Sequence, residues 1–243
     1  KAYDYFRGWS LSGDWSLNMV KRRLDKTINP SKGYKIWSKI DLEKNDFIEG
    51  LNLSESGTLT EDFKSNNLGR IQLGGSYYYE IPLQKRWTVS LTGQFGWISN
   101  DNVDSFFHFY LGGLPGIKGY PFYSIQGTHS AMVDATFRMP LFMEKHYKAK
   151  WIIWQNSTLG AIFQFGDAWT DNYSIKKSVG IQWRMKGFSF YNFPTAIEVE
   201  YHQPLDKFEI EVMNNDDTID KPTTIKYGDK GRAYVKICRE HIG

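Results

Sequence analysis

With 243 residues and a formal net charge of +3, the chain is long enough for one large all-β domain, and its charge is too small and dispersed for nucleic-acid binding. Aromatics make up 16% of residues while the mean hydropathy is −0.50, a combination that suits a wet interior inside a lipid-facing skin. A lone cysteine, Cys238, and five scattered histidines offer no disulfide, cofactor or metal site, and no stretch reaches the roughly 18 apolar residues of a membrane helix.

The chain opens at Lys1 without a charged-then-apolar leader, which reads as the mature or C-terminal part of something longer. Period-2 patterning then recurs segment after segment, and a strand with such a pattern has its two faces in different solvents. Trp9, Leu11, Trp15, Leu17 and Met19 alternate with Ser10, Ser12, Asp14, Ser16 and Asn18. Tyr34, Ile36, Ile40 and Leu42 oppose Lys35, Lys39, Asp41 and Glu43, and Ile71, Leu73, Tyr77, Tyr79 and Ile81 oppose Arg70, Gln72, Ser76 and Glu80. From Trp87 to Trp97 the odd positions are apolar and the even ones polar or glycine; from Ala131 to Leu141 the apolar set opposes Asp134, Thr136 and Arg138. Leu159, Ala161, Phe163, Phe165 and Trp169 oppose Gln164 and Gly166. Val179, Ile181, Trp183 and Met185 oppose Gln182, Arg184 and Lys186; Ile197, Val199 and Tyr201 oppose Glu198, Glu200 and His202; Ala233, Val235 and Ile237 oppose Arg232, Tyr234 and Lys236. Nine strands with one polar face each are expected.

These segments alternate over about 8 to 13 residues, against about 5–6 for ordinary strands and 9–11 for membrane-spanning ones. Trp87 and Trp97 share a face and would stand about 25 Å apart along a membrane normal, the separation of two aromatic girdles. The links at 48–68, 98–126 and 206–229 read as long polar loops on alternate junctions, whereas 82–86 with Pro82 is a tight turn. No domain boundary interrupts residues 1–243.

After a strand expected at 106–111, the chain reads Leu111-Gly112-Gly113-Leu114-Pro115-Gly116-Ile117-Lys118-Gly119-Tyr120-Pro121-Phe122-Tyr123. Four glycines and two prolines preset a tight backbone. With Asp134 on the next strand and Phe163-Gln164-Phe165-Gly166-Asp167-Ala168-Trp169 on the one after, the pattern resembles the outer-membrane assembly and translocation barrels, the bacterial surface antigen family. Their signature is a Gly-Gly followed by Val/Ile-Arg-Gly-Phe/Tyr on a loop folded into the barrel lumen. The resemblance is specific from about 106 to 205. It implies the last nine strands of a 16-stranded transmembrane antiparallel β-barrel, with 98–126 as a lumen loop, and, through Lys-Gly-Tyr-Pro-Phe-Tyr, a subgroup with an upstream Tol-like propeller.

It also implies a lumen-loop lock at Ile117, Lys118, Gly119 and Tyr120 against Asp134 and Gln164, shaped by Gly112, Gly113 and Gly116. A Lys118–Asp134 pair would pin the loop tip where a charge pair is little screened. Two departures loosen such a lock: Lys118 stands where the family has a fork-forming arginine, and Gln164 where it has a second acid. Glu198, Glu200, His202 and Asp206 form an inward acidic row that reads as hydrated interior, balanced by Arg184, Lys186, Arg232, Lys236 and Arg239. Asp216, Asp217 and Asp220 have no recognised cation spacing. His129-Ser130 lacks a nucleophile elbow, and the loop glycines open no helix that could cradle phosphate.

The resemblance implies an integral outer-membrane protein of a Gram-negative-type bacterium, not an enzyme, that inserts or translocates client polypeptides with periplasmic or lipoprotein accessory subunits. The alternative is a passive anchor or pore for an upstream propeller-like module.

Overall fold

A computed structural model describes residues 5–21, 30, 32–53, 59–82, 84, 86–190, 193–212 and 223–239. Each alternating segment falls on one long strand, because a strand buried on one face only keeps the register that its pattern dictates. In chain order the strands are β1 (Phe6–Asn18), β2 (Gly33–Leu53), β3 (Leu59–Glu80), β4 (Thr88–Ile98), the short β5 (Phe109–Tyr110) and β6 (Gln126–Gly127), and β7 (His129–Phe142). There follow β8 (Tyr147–Ala149), β9 (Ile152–Trp169), β10 (Lys176–Ser189), β11 (Phe193–Pro204), β12 (Phe208–Val212), β13 (Thr223–Tyr227) and β14 (Arg232–Arg239). The long strands form one antiparallel sheet in the order β1-β2-β3-β4-β7-β9-β10-β11-β14, with β8 beside β9. β5 pairs with β6 and β12 with β13 in two small hairpins.

Burial along the sheet is the reverse of that in a water-soluble protein. Ile181 is 62% exposed, Phe163 53% and Leu91 48%, while Gln164 is 2%, Gln182 3% and Glu200 3% exposed. In water each exposed apolar side chain would forfeit its burial free energy at about 25 cal/mol per Å²; against hydrocarbon it forfeits none. The inward face is a ladder of polar rungs, one of which runs Thr88, Arg138, Gly160, Gln182, Glu200, Tyr234 across six neighbouring strands. Its apolar exceptions include Ile98, Met132, Ile162 and Ala168, all buried, and Met132 and Ala168 pack against the loop that follows β4. Aromatic side chains mark both ends of the apolar band. Trp87 meets Phe137 edge-on at 5.3 Å, and at the opposite end of the strands Trp169 stacks on His129 at 5.8 Å and meets Tyr173 at 4.8 Å.

Three expectations need correction. The link 48–68 is mostly strand: β2 and β3 stay paired from Gly33↔Tyr78 out to Leu53↔Leu59. The link 206–229 likewise carries β12 and β13. Apolar–polar alternation stops where both faces meet water, but backbone pairing does not need it, so these ladders read as loops. The strand expected at 106–111 is a 3₁₀ turn at Ser105–Phe107 followed by the two residues of β5. Asp104 caps that turn, accepting from the Phe106 amide at 2.9 Å. Asp216, Asp217, Asp220 and Glu240–Gly243 lie outside the described residues. Among the described residues, β1 and β14 are the two edges of the sheet.

Candidate functional site: the returning loop and its polar wall

Between β4 and β7 the chain does not stay at the rim but packs back onto the polar face of the sheet. Its own backbone knots it first. Leu111 N–H donates to Ile125 C=O at 2.9 Å, Ile117 N–H to Leu111 C=O at 2.6 Å and Gly113 N–H to Tyr120 C=O at 2.9 Å. Gly113 adopts φ +72°, a conformation that favours glycine. The knot pushes Leu111, Ile117, Tyr120 and Ile125 into one cluster with Met132 of β7 and Ala168 of β9; Ile117 and Tyr120 are fully buried. This is the apolar anchor of the loop.

A polar anchor surrounds it. Gln164 of β9 accepts from Lys118 N–H at 2.9 Å and donates to Gly116 C=O at 3.2 Å and to Asp134 Oδ2 at 2.8 Å. Thr136 holds the other Asp134 oxygen at 2.7 Å. The Lys118 ammonium forms its ion pair with Glu200 of β11, not with Asp134 as the spacing suggests. Asp134 lies beside the backbone side of the loop and acts on it through Gln164, whereas the lysine side chain extends along the wall to β11. Gln182 donates to the second Glu200 oxygen, and His202 Nε2 lies 3.1 Å from the oxygen that Lys118 uses. The Tyr234 hydroxyl of β14 donates to Lys118 C=O at 2.8 Å. The row read as hydrated interior is thus packed: Glu200 is 3% and His202 0% exposed. Further along it, Glu198 takes an ion pair from Arg184, and Arg138 Nε donates to Gln182 Oε1 at 2.9 Å.

Tyr120 ties the loop to the outer hairpin. Its hydroxyl lies 2.9 Å from Asp206 C=O and 3.1 Å from Lys177 C=O, and accepts from Asp206 N–H at 3.2 Å. Burial pushes its phenol above the ordinary tyrosine value, so the group stays a donor. Its ring meets Phe208 of β12 at 5.5 Å. Tyr120→Phe is expected to cost about 1–2 kcal/mol of loop docking, because an amide and a carbonyl lose their partner. A cysteine placed on the loop should then be labelled by a water-soluble maleimide roughly tenfold faster; unchanged labelling would remove Tyr120 from the anchor.

Gly119 also belongs to the contact surface: a Cβ there would meet Ser178 Oγ at 2.6 Å and Pro204 N at 3.0 Å. Ile117, Lys118, Gly119, Tyr120 and Gln164 are therefore brought together, with Asp134 at one remove and Gly112, Gly113 and Gly116 inside the knot. Glu200, Tyr234 and Gln182 complete the arrangement. Asp167, fully buried, holds the β9–β10 turn by accepting from Lys176 Nζ and Ser174 N–H, each at 2.6 Å.

An apolar outward face, a polar inward face and a loop packed on the latter are the features of a transmembrane β-barrel wall. The profile of the Omp85 superfamily domain matches residues 2–154, and the chain belongs to that superfamily, whose members are outer-membrane transporters and assembly factors. No curated protein and no solved structure matches the chain significantly.

Proposed function

We propose that this barrel inserts client polypeptides into the outer membrane, or translocates them across it, and that the loop 98–126 is a lumen plug whose lock is Lys118–Glu200. The observation that carries the reading is the spread of the loop's polar bonds. They reach β9 through Gln164, β11 through Glu200 and β14 through Tyr234. β14 pairs with β11 on one side; its other side, an edge among the described residues, would be the seam with the first strand of the closed barrel. An edge strand can accept an incoming strand by backbone pairing. A loop bonded to β14 would couple its own position to that edge. On this reading residues 1–243 are the C-terminal part of a 16-stranded barrel, with a propeller upstream and with periplasmic or lipoprotein subunits delivering clients.

Deleting 112–123 tests it. Leu111 and Ile125 are hydrogen-bonded across the loop base and Ser124 alone cannot span them, so an Asn-Gly link replaces the deleted residues and closes a short hairpin without straining the wall. The expected result is a folded, membrane-inserted barrel with raised conductance in planar bilayers and a loss of client assembly or secretion in cells. Raised conductance with client traffic intact would overturn the proposal in favour of a passive pore or anchor.

A further inference from the structure

The lipid-facing surface has a gap at Gly69. This residue lies on β3 opposite Leu42 of β2, and an added Cβ would meet nothing nearer than Leu42 Cδ2 and Ser99 Oγ, both at 3.5 Å. The missing side chain leaves a groove of about 520 Å³ walled outward by Trp9, Ile40, Leu42, Ile71, Trp97 and Ser99. It lies where β4 runs into the returning loop, at the loop end of the apolar band. Trp9 and Trp97, both exposed, stand on either side of it at the depth where aromatic belts meet lipid headgroups.

One same-face step beyond Leu42, about 7 Å along the strand, is Lys44. It faces Trp9 across β1 and Asn67 across β3, is exposed, and takes part in no ion pair among the described residues. The acids nearby lie further out along the strand or on its other face. Asp46 accepts from the Ser65 hydroxyl. Asp41 and Glu43, whose backbone passes through the groove, have their carboxylates on the other face, where Ser12 donates to Asp41 at 2.6 Å and Asn45 to Glu43 at 2.9 Å. Arg7, further out, lies over the Phe63 ring at 4.5 Å. Lys44 is therefore the charge nearest the groove on this face.

We propose that the groove is a binding site for an anionic, phosphate-bearing lipid of the outer leaflet. One acyl chain lies over Gly69 between Trp9 and Trp97, where it regains the dispersion contacts that the absent side chain leaves open. The phosphate is held by Lys44, with the Asn67 amide beside it. A basic side chain at an anionic surface favours the charged lipid by about fivefold.

The test uses the whole protein in detergent micelles supplied with equal amounts of phosphatidic acid and diacylglycerol of identical acyl chains, with retained lipid counted by native mass spectrometry. Phosphatidic acid is expected to be retained about fivefold over diacylglycerol, and millimolar inorganic phosphate should not displace it. Lys44→Gln should bring the ratio near one while the protein keeps the heat-modifiable mobility of a folded barrel. Gly69→Phe, which fills the groove from the lipid side, should lower retention of both lipids. A ratio near one in the wild type, an unchanged ratio in Lys44→Gln, undiminished retention in Gly69→Phe, or displacement by free phosphate would each overturn the proposal.

Discussion

Replacing Lys118 with alanine is expected to lower the unfolding free energy of the barrel in detergent by about 3 kcal/mol, the lower end of the range for removing one member of a buried pair. The reason is what remains. Glu200 is 3% exposed, and without the ammonium its remaining hydrogen bonds come from Gln182 and His202. Desolvating a carboxylate without a counter-charge is costly, and the same pair replaced at both ends is not, because no buried charge is then orphaned. Lys118→Ala combined with Glu200→Gln should therefore recover most of the loss, and Lys118→Arg, which keeps the charge, should lose little. Urea unfolding followed by tryptophan fluorescence measures all three. Equal losses in Lys118→Ala and in the double variant would mean that the pair contributes packing and not charge.

The nine strands were legible because period 2 is a direct consequence of a pleated strand with two unlike faces. Ile181, Trp183, Gln182 and Arg184 announce their sides whatever their neighbours are. Strand ends were legible only while the two faces differed, and so β2 and β3 run on beyond Ile48 with no sign in the hydropathy. Within the candidate site, Gln164 and Asp134 could be placed on the loop's side of the wall by parity together with the family pattern. Glu200 could be given its inward face by the same parity, but not its neighbour. Which of the inward acids, Asp134, Glu198, Glu200 and Asp206 among them, meets Lys118 depends on how far the loop reaches across the sheet, and that distance is set by the knot at Gly112–Ile117 and not by any local pattern. A half-buried lysine favours an acid close by; this narrows the choice to the inward acids and no further. Tyr234 was still less visible, because its bond goes to a backbone carbonyl, which every residue has.

The knot itself gives the largest effect expected from adding a single methyl group. A Cβ on Gly112 would stand 1.8 Å from Pro121 C=O, and one on Gly116 would stand 2.0 Å from Leu111 C=O. Both obstacles are backbone, so no rotamer change relieves them. Gly112→Ala must pull apart the bridge between Gly112 and Ile117, and with it the turn that keeps Ile117 and Tyr120 buried. Losing those two side chains from their cluster removes about 1.5–3 kcal/mol each, comparable to the whole apolar anchor. The strands share no part of this knot, so the barrel should still fold and keep its heat-modifiable mobility. The released loop should instead be cut by trypsin after Lys118 in the native protein, where the wild type resists. Gly93→Ala is the matched control: its Cβ would meet nothing nearer than Met132 C=O at 3.9 Å, and the same protease should leave it intact. If Gly112→Ala and Gly93→Ala are equally protected, the loop does not depend on its knot, and the wall contacts at Lys118 and Gln164 alone must hold it.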